Sequence, residues 1–227
     1  MSRNFNFCIV IPAYNEERRI EGVVRKCLEE CKNVVVVDDG STDLTAEVAH
    51  NAGAVVLKHP ANAGKTVALN TGFKYALEEG CDYVVTLDAD GQHNPLEIKN
   101  FLEEARLSRA DIIVGTRMAQ TENMPLIRRL TNWATSRVLS RIIGVKLTDS
   151  QCGFRMIKRD VLENVRIDAK KYEGESEILI KAARKGYIIK EVPISTIYGD
   201  EKSKIKPLRD TYRFIRLALK YLQKKNE

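Results

Sequence analysis

Asp88-Ala89-Asp90 sets two carboxylates two residues apart, after the apolar run Tyr83-Val84-Val85-Thr86-Leu87 and before Gly91-Gln92-His93-Asn94-Pro95. The run reads as a buried strand that the glycine and proline bring to a stop. Both acids are therefore delivered to the carboxyl edge of a sheet, where they repel each other by ~4 kcal/mol at a near-surface dielectric. A hard divalent cation removes that cost. Mg²⁺ takes one or two protein carboxylates and completes its shell with water and substrate phosphates. The pair points to a metal–diphosphate site and a nucleotide-linked substrate. The ordinary alternative is that acids after strands cap helices or fill turns.

A second strand-end cluster, Asp38-Asp39-Gly40-Ser41-Thr42-Asp43, follows four consecutive valines, Val34 to Val37. A carboxylate there can accept hydrogen bonds from the N–H groups of a nucleobase. Alternatively, Asp39 or Ser41 caps the helix that follows.

The elements that must position these groups alternate through the first half. Strands are expected at Phe7–Ile11, Val34–Val37, Ala54–Leu57, Tyr83–Leu87 and Asp111–Gly115, and helices at Glu17–Cys31, Thr42–Ala52, Thr66–Glu79 and Pro95–Leu107. Ile20, Val23, Val24, Cys27, Leu28 and Cys31 share one helical face. The valine run fits a strand covered on both sides, as in a parallel sheet. The pattern predicts an α/β fold with a doubly wound, mostly parallel sheet flanked by helices. Ligands in such sheets bind beyond the carboxyl ends of the strands. The loops there are Pro12–Glu16, Asp38–Asp43, His59–Lys65, Asp88–His93 and Thr116–Arg117. The second half breaks the alternation: a long helix over Pro125–Ile143, a strand over Gly153–Lys158, a helix over Glu173–Lys185, and an edge strand over Ile188–Ile197 interrupted by Pro193. A charged loop, Asp200–Lys206, then leads to an amphipathic terminal helix from Pro207.

The 227 residues suit one domain, and 44% hydrophobic residues supply a substantial core. A net charge of +6 favours an anionic partner without choosing among phosphorylated substrate, acidic membrane surface and nucleic acid. Nucleic acid is disfavoured, since aromatic residues are only 7% and no stacking motif is visible. The five cysteines have no CxxC or metal-ligand spacing and are expected as buried, reduced thiols of a cytoplasmic protein. No secretory signal is expected ahead of Phe7, nor an apolar stretch of the ~20 residues a membrane span needs. The first strand–helix turn lacks Gly-x-Gly-x-x-Gly, which argues against a dinucleotide dehydrogenase.

Pro12-Ala13-Tyr14-Asn15-Glu16, then Asp38 to Asp43, then Asp88 to His93, in that order and spacing, resemble glycosyltransferase family 2, the inverting enzymes of GT-A fold. Gln151-Cys152-Gly153-Phe154-Arg155 and Tyr198 to Lys204 resemble the polyprenyl-phosphate branch, which includes dolichyl-phosphate mannose and glucose synthases. The resemblance implies a GT-A domain over residues 1–206, with a nucleotide-sugar-binding half at 1–118 and an acceptor half at 119–206, and a basic amphipathic helix at 207–227. It implies that Pro12, Ala13, Tyr14 and Glu16 cradle base and ribose, with Asp38 and Asp39 at the base. Asp88 and Ala89 would lie near the ribose, and Lys65 would reach the nucleotide. Asp90 and Gln92, with Asp88, would hold Mg²⁺ or Mn²⁺. Arg117, Arg129, Gln151, Lys202, Ser203 and Lys204 would meet donor or acceptor phosphate. Mannose synthases of this branch carry an arginine where this chain has Thr196, while the Gln-Cys-Gly-Phe segment leans towards UDP-using, glucosyl-type relatives.

Two acceptors follow from this resemblance. A polyprenyl or dolichyl phosphate oxygen is already anionic, so transfer from a nucleotide-diphosphate sugar demands mainly in-line positioning. A saccharide hydroxyl instead requires a carboxylate to take its proton, and Asp149 matches the family position near the acceptor. The other reading of Asp149 is a loop cap before the next strand. Arg209, Arg213, Arg216, Lys220 and Lys224 form one stripe beside Tyr212, Phe214, Ile215, Leu217, Leu219 and Tyr221. The helix from Pro125 likewise mixes Leu126, Ile127, Leu130 and Trp133 with Arg128, Arg129, Arg137 and Arg141. Basic amphipathic helices lie in the headgroup region, so peripheral attachment to the cytoplasmic membrane face, alone or through a membrane partner protein, is expected. A basic surface-binding module with an inactive nucleotide pocket is the non-enzymatic alternative. A haloacid-dehalogenase-like phosphatase is disfavoured, because its Asp motif opens the first strand and Asp88 ends the fourth.

Overall fold

The computed structural model describes residues 5–118, 124, 126–169, 173–197, 214–218 and 221. Seven strands form one sheet: β1 (Phe7–Ala13), β2 (Val34–Asp38), β3 (Val55–Lys58), β4 (Tyr83–Thr86), β5 (Ile112–Thr116), β6 (Arg155–Lys158) and β7 (Ile189–Pro193). Their spatial order is β3-β2-β1-β4-β6-β5-β7. The helices are α1 (Ile20–Glu30), α2 (Thr45–Asn51), α3 (Lys65–Glu78), α4 (Ile98–Ser108), α5 (Leu126–Ile143), α6 (Arg159–Asn164) and α7 (Gly174–Arg184). A 3-10 turn at Pro95–Glu97 opens α4, with the Asn94 side chain accepting from the Leu96 N–H.

The first half follows the expected order, with boundaries moved by one to three residues. Every residue of β2 is buried, as a strand covered on both faces requires. α3 packs so closely on β1 and β2 that a Cβ on Gly72 would lie 2.3 Å from Val10 Cγ1. β7 is an edge strand and ends at Pro193, where a missing N–H breaks no ladder. The short helix α6 was not anticipated; its six residues are too few for a periodic signal.

β1, β2, β3 and β4 are mutually parallel, whereas β6 runs antiparallel to both β4 and β5. Arg155, at the start of β6, pairs with Thr86 near the end of β4 and with Val114 on β5. The amino end of β6 therefore lies at the same rim as the carboxyl ends of β1, β2 and β4. The chain direction alternates at this one strand, which brings the Asp149–Phe154 segment to the crevice. The strand order reverses direction between β1 and β4, the switch point at which open α/β sheets bind ligands.

Towards the carboxyl terminus, Phe214, Leu217, Ala218 and Tyr221 are buried while Ile215 and Arg216 are exposed. The Tyr221 hydroxyl donates to Glu177 Oε1 at 3.0 Å, and Arg184 lies over the Tyr221 ring. Tyr221 thus packs on α7, and four of the apolar side chains described in this segment are buried in the protein rather than offered to a membrane; Tyr212 and Leu219 lie outside the described residues. Among the described residues, no helix is long and apolar enough to cross a membrane.

Candidate active site

The loops after β1 and β2 are knitted into one wall. The Asp39 N–H donates to the Ala13 carbonyl, Asn15 N–H to Ser41 Oγ, and Thr42 N–H to Asn15 Oδ1. Asn15 adopts φ 52°, a left-handed conformation that asparagine tolerates better than most residues. Glu16 is buried, and its N–H donates to Thr45 Oγ1. Tyr14 stays on the open side, 37% exposed.

The strand-end aspartates of β2 are both buried and turned to the chain itself. Asp38 Oδ1 accepts from the Ser41 N–H at 2.9 Å. Asp39 accepts from the N–H groups of Ala63 and Gly64 at 3.0 and 2.8 Å, and pairs with His59 Nδ1 at 2.8 Å. Asp39 therefore fixes the His59–Gly64 loop against the β1–β2 wall. Gly64, at φ 108°, takes a conformation that side chains disfavour and turns the chain directly into α3.

Lys65, the first residue of α3, reaches across to β4. Its ammonium lies 2.5 Å from Asp88 Oδ1 and 3.2 Å from Glu175 Oε1. A Cβ on Gly153 would lie 2.6 Å from Asp88 Oδ2, so only glycine lets the β6 approach pass this carboxylate. The Asp88 N–H donates to His93 Nδ1. Burial alone would raise the Asp88 carboxyl; Lys65, with His93 and Arg117 behind it, outweighs burial and holds it well below the usual carboxylate range. Asp90 has the opposite balance. Burial and the neighbouring Asp88 charge push it up to about 6, and the Gln92 N–H offsets this only in part. Burial lowers His93 to about 4, so its ring is neutral at pH 7.

On the other side of the crevice Arg117, after β5, meets Asp149. Arg117 Nε donates to Oδ2 at 2.6 Å and Nη2 to Oδ1 at 2.9 Å. The Arg117 N–H and Asn132 Nδ2 also donate to this carboxylate, which has no exposed surface. Burial would raise Asp149, but the Arg117 bonds hold it below its ordinary value. The turn carrying Asp149 is braced by Glu191 on β7, which accepts from the N–H groups of Thr148 and Asp149. Arg155, 2% exposed, donates to the carbonyls of Ser150, Cys152 and Glu175, tying the turn to the start of α7.

The structure thus brings Pro12, Ala13, Asp38, Asp39, Lys65, Asp88, Ala89, Asp90 and Gln92 to the carboxyl rim of β1, β2 and β4, and Arg117 and Asp149 to the β5–β6 part of the same rim, across the crevice. Gln151 is exposed beside Asp149. Arg129 is exposed on α5, three residues before Asn132 and so on the same side of the helix. Lys202, Ser203 and Lys204, with the rest of the Tyr198–Lys206 segment, lie outside the described residues. Arg155 belongs to the Gln151–Arg155 motif, which gave it no role of its own. His59, Asn132, Glu175 and Glu191 carry contacts that sequence patterns did not single out. Each comes from an element distant in the chain, and none belongs to a recurring spacing.

Among the described residues no three His, Cys, Asp or Glu side chains converge into a closed metal cage. The donor set fits a more open arrangement. Asp90 carries charge that burial and Asp88 leave poorly compensated, and a divalent cation with two carboxylates and a diphosphate would neutralise it.

A seven-stranded, mostly parallel sheet of this order, flanked by helices, defines an α/β domain of GT-A type. The match to known proteins is specific: the model of glycosyl transferase family 2 covers residues 8–166, and the chain belongs to that family. It is a glycosyltransferase. It is 35% identical over 215 residues to the UDP-N-acetylglucosamine–dolichyl-phosphate N-acetylglucosaminyltransferase of Methanococcus voltae, covering 85% of this chain and 86% of the relative. It is 34% identical over 202 residues to the undecaprenyl-phosphate mannosyltransferase of Micrococcus luteus, covering 83% and 82%. Its fold is that of the glucosyl-3-phosphoglycerate synthase of Mycobacterium tuberculosis, solved with Mn²⁺, UDP-glucose and phosphoglyceric acid. That likeness has a TM-score of 0.74 and 20% identity, over 96% of this chain and 79% of the other.

Proposed function

We propose that this glycosyltransferase moves a hexose, with inversion, from a UDP- or GDP-linked donor to the phosphate of a polyprenyl or dolichyl lipid. The observation that carries the choice of acceptor is the saturation of Asp149. A carboxylate that accepts from Arg117 Nε, Nη2 and N–H and from Asn132 Nδ2 has little affinity left for a proton. A saccharide hydroxyl needs such a proton acceptor, whereas a lipid phosphate arrives already ionised. In this reading Asp149 holds Arg117, and Arg117 faces the phosphate.

On the donor side, Pro12, Ala13, Tyr14 and Glu16 form the wall for base and ribose, and Asp39 sets the loop that closes beside the base. Asp88, Asp90 and Gln92 would hold Mg²⁺ or Mn²⁺. Bound there, the ion would stabilise the negative charge that develops on the leaving diphosphate. Lys65 and Arg117 add fixed positive charge on either side of the reacting centre. Arg129, one turn from Asn132 along α5, and Gln151 extend the positive, polar rim towards the acceptor; Lys202, Ser203 and Lys204 are assigned to the same phosphates.

The reading includes peripheral attachment at the cytoplasmic membrane face. It is supported by α5, on which Leu126, Ile127, Leu130 and Trp133 are all exposed, Trp133 at 56%. Arg137 lies 5.7 Å from the centre of the Trp133 ring, and Arg129 and Arg141 share the solvent side. Such a face combines apolar area with cations suited to anionic lipid.

The test is a panel of UDP- and GDP-sugars with Mg²⁺ or Mn²⁺, first by thermal shift and then with polyprenyl phosphate or an oligosaccharide as acceptor. Nucleotide binding raises the melting temperature by mass action. Metal-dependent sugar transfer to the lipid phosphate is the expected result. Transfer to the saccharide hydroxyl alone, abolished by Asp149→Asn with Arg117 still bound in place, would reverse the choice of acceptor.

A further inference from the structure

Resting on the transferase reading, we propose that Glu175 is a positioning residue that keeps hold of Lys65 while its ammonium passes from Asp88 to the donor diphosphate as a divalent cation enters. Lys65 is shared between Asp88 at 2.5 Å and Glu175 at 3.2 Å, with its side chain only 17% exposed and that of Glu175 only 10%. The ammonium therefore stands against one of the carboxylates assigned to the metal and supplies the positive charge that the ion would bring. Both cannot be the close partner of Asp88 at once without placing like charges side by side. A lysine is suited to exchange: it is a compact charge on a flexible stem with three donors, so it can retain one bond while moving another.

Glu175 is held where this exchange needs it. A Cβ on Gly174 would lie 2.2 Å from Thr66 Oγ1, so the start of α7 is pressed directly against the first turn of α3. The Glu175 carbonyl accepts from the buried Arg155 guanidinium, which also grips Ser150 and Cys152. The backbone of Glu175 is thus fixed, and its carboxylate remains beside Lys65 whichever second partner the ammonium takes. Without that anchor, Lys65 would lean more heavily on Asp88 and oppose metal entry more strongly.

The test is Mn²⁺ binding without nucleotide, followed by UDP and GDP binding in excess Mn²⁺, both by calorimetry on the full chain. Lys65→Met is expected to tighten Mn²⁺ binding roughly tenfold and to weaken nucleoside diphosphate roughly tenfold. Glu175→Gln is expected to weaken Mn²⁺ binding roughly fivefold in the presence of Lys65 and under about twofold in the Lys65→Met background, the coupling expected of two residues acting as one unit. Lys65→Gln, which keeps a neutral hydrogen-bond donor on this side chain without the charge, serves if the methionine variant does not fold. An equal effect of Glu175→Gln in both backgrounds, or no gain in Mn²⁺ affinity without the Lys65 charge, would overturn the exchange. Failure of the wild-type chain to bind either Mn²⁺ or nucleoside diphosphate would instead remove the transferase reading, and the exchange with it.

Discussion

Among the described residues, the crevice holds a buried arginine–carboxylate pair and a partly exposed lysine–carboxylate pair that are built differently. Arg117 grips Asp149 with two parallel bonds of its planar fork, and the main chain and Asn132 occupy the rest of the carboxylate. Lys65 instead divides one point charge between Asp88 and Glu175, with Asp88 29% exposed on the crevice side. The arginine pair is over-determined in geometry and has no open oxygen. The lysine pair keeps a carboxylate facing the ligand space, next to the undercompensated Asp90. A planar guanidinium suits a cation that must stay aimed at one place, and an ammonium suits one that must change partners. The two sides of the crevice thus offer a fixed positive group and an exchangeable one.

The sharpest way to break this contrast is to remove the partner of the fixed cation. Asp149→Ala leaves a buried guanidinium uncompensated, and breaking such a pair costs about 3–5 kcal/mol of stability; a large fall in melting temperature is the expected readout. An unchanged melting temperature would mean that Arg117 is not held as described. Arg117→Lys should fold but lose the fork, with turnover falling by roughly 10²-fold and donor KM changing little. If turnover instead survives, a point charge suffices on this rim too, and the two pairs are equivalent. For the exposed side of α5, Trp133→Ser with Leu130→Ser should reduce binding to anionic liposomes several-fold while leaving nucleotide binding intact, measured by co-sedimentation. Full retention on the liposomes would move the lipid contact elsewhere.

The smallest expected effect is in pH. Asp90 is raised to about 6 in the fold, above its unfolded range, so the folded chain binds the additional proton. Asp90 by itself should therefore add a little stability as pH falls from 7 through about 6, while His93, lowered to about 4, removes a similar amount as the unfolded imidazole protonates, so the Asp90 contribution is read as the difference between wild type and Asp90→Asn. Asp88, lowered by Lys65, contributes with the opposite sign, and its stabilisation is lost only in strong acid. Mn²⁺ binding should weaken over the same interval below about pH 6, because proton and metal compete for Asp90. Thermal melts of wild type and Asp90→Asn, and a Mn²⁺ titration of the wild type, between pH 5 and pH 8 check both signs.

Much of the first half was legible because its signals are local. An apolar run followed by acids and glycine stops a strand at the rim, and the valines of β2 announce a strand buried on both faces. The order of the Pro12, Asp38 and Asp88 segments was enough to place them at neighbouring strand ends. The second half was less legible. The residues over Gly153–Lys158 read as a strand, but nothing in their pattern gives its direction, since the alternation of side chains is the same for parallel and antiparallel pairing. The terminal helix showed the same ambiguity: an apolar stripe beside a basic one serves a membrane or a protein core equally well, and Phe214, Leu217 and Tyr221 are buried against the protein.

The sequence by itself determined the family, the α/β alternation and the carboxylates that end β2 and β4, because those depend on residue type and short-range order. The tertiary structure alone decided that β6 runs backwards between β4 and β5. That reversal brings Asp149, Gly153 and the Arg155 clamp to the carboxyl rim of β1, β2 and β4, and α7 then sets Glu175 beside Lys65. It also decided which carboxylates are already engaged. The hydrogen bonds from Asn132 to Asp149, from Arg155 to Glu175, and from the Thr148 and Asp149 N–H groups to Glu191 span 17 to 43 residues of chain, and a linear pattern carries no information about which distant group a buried polar atom will meet.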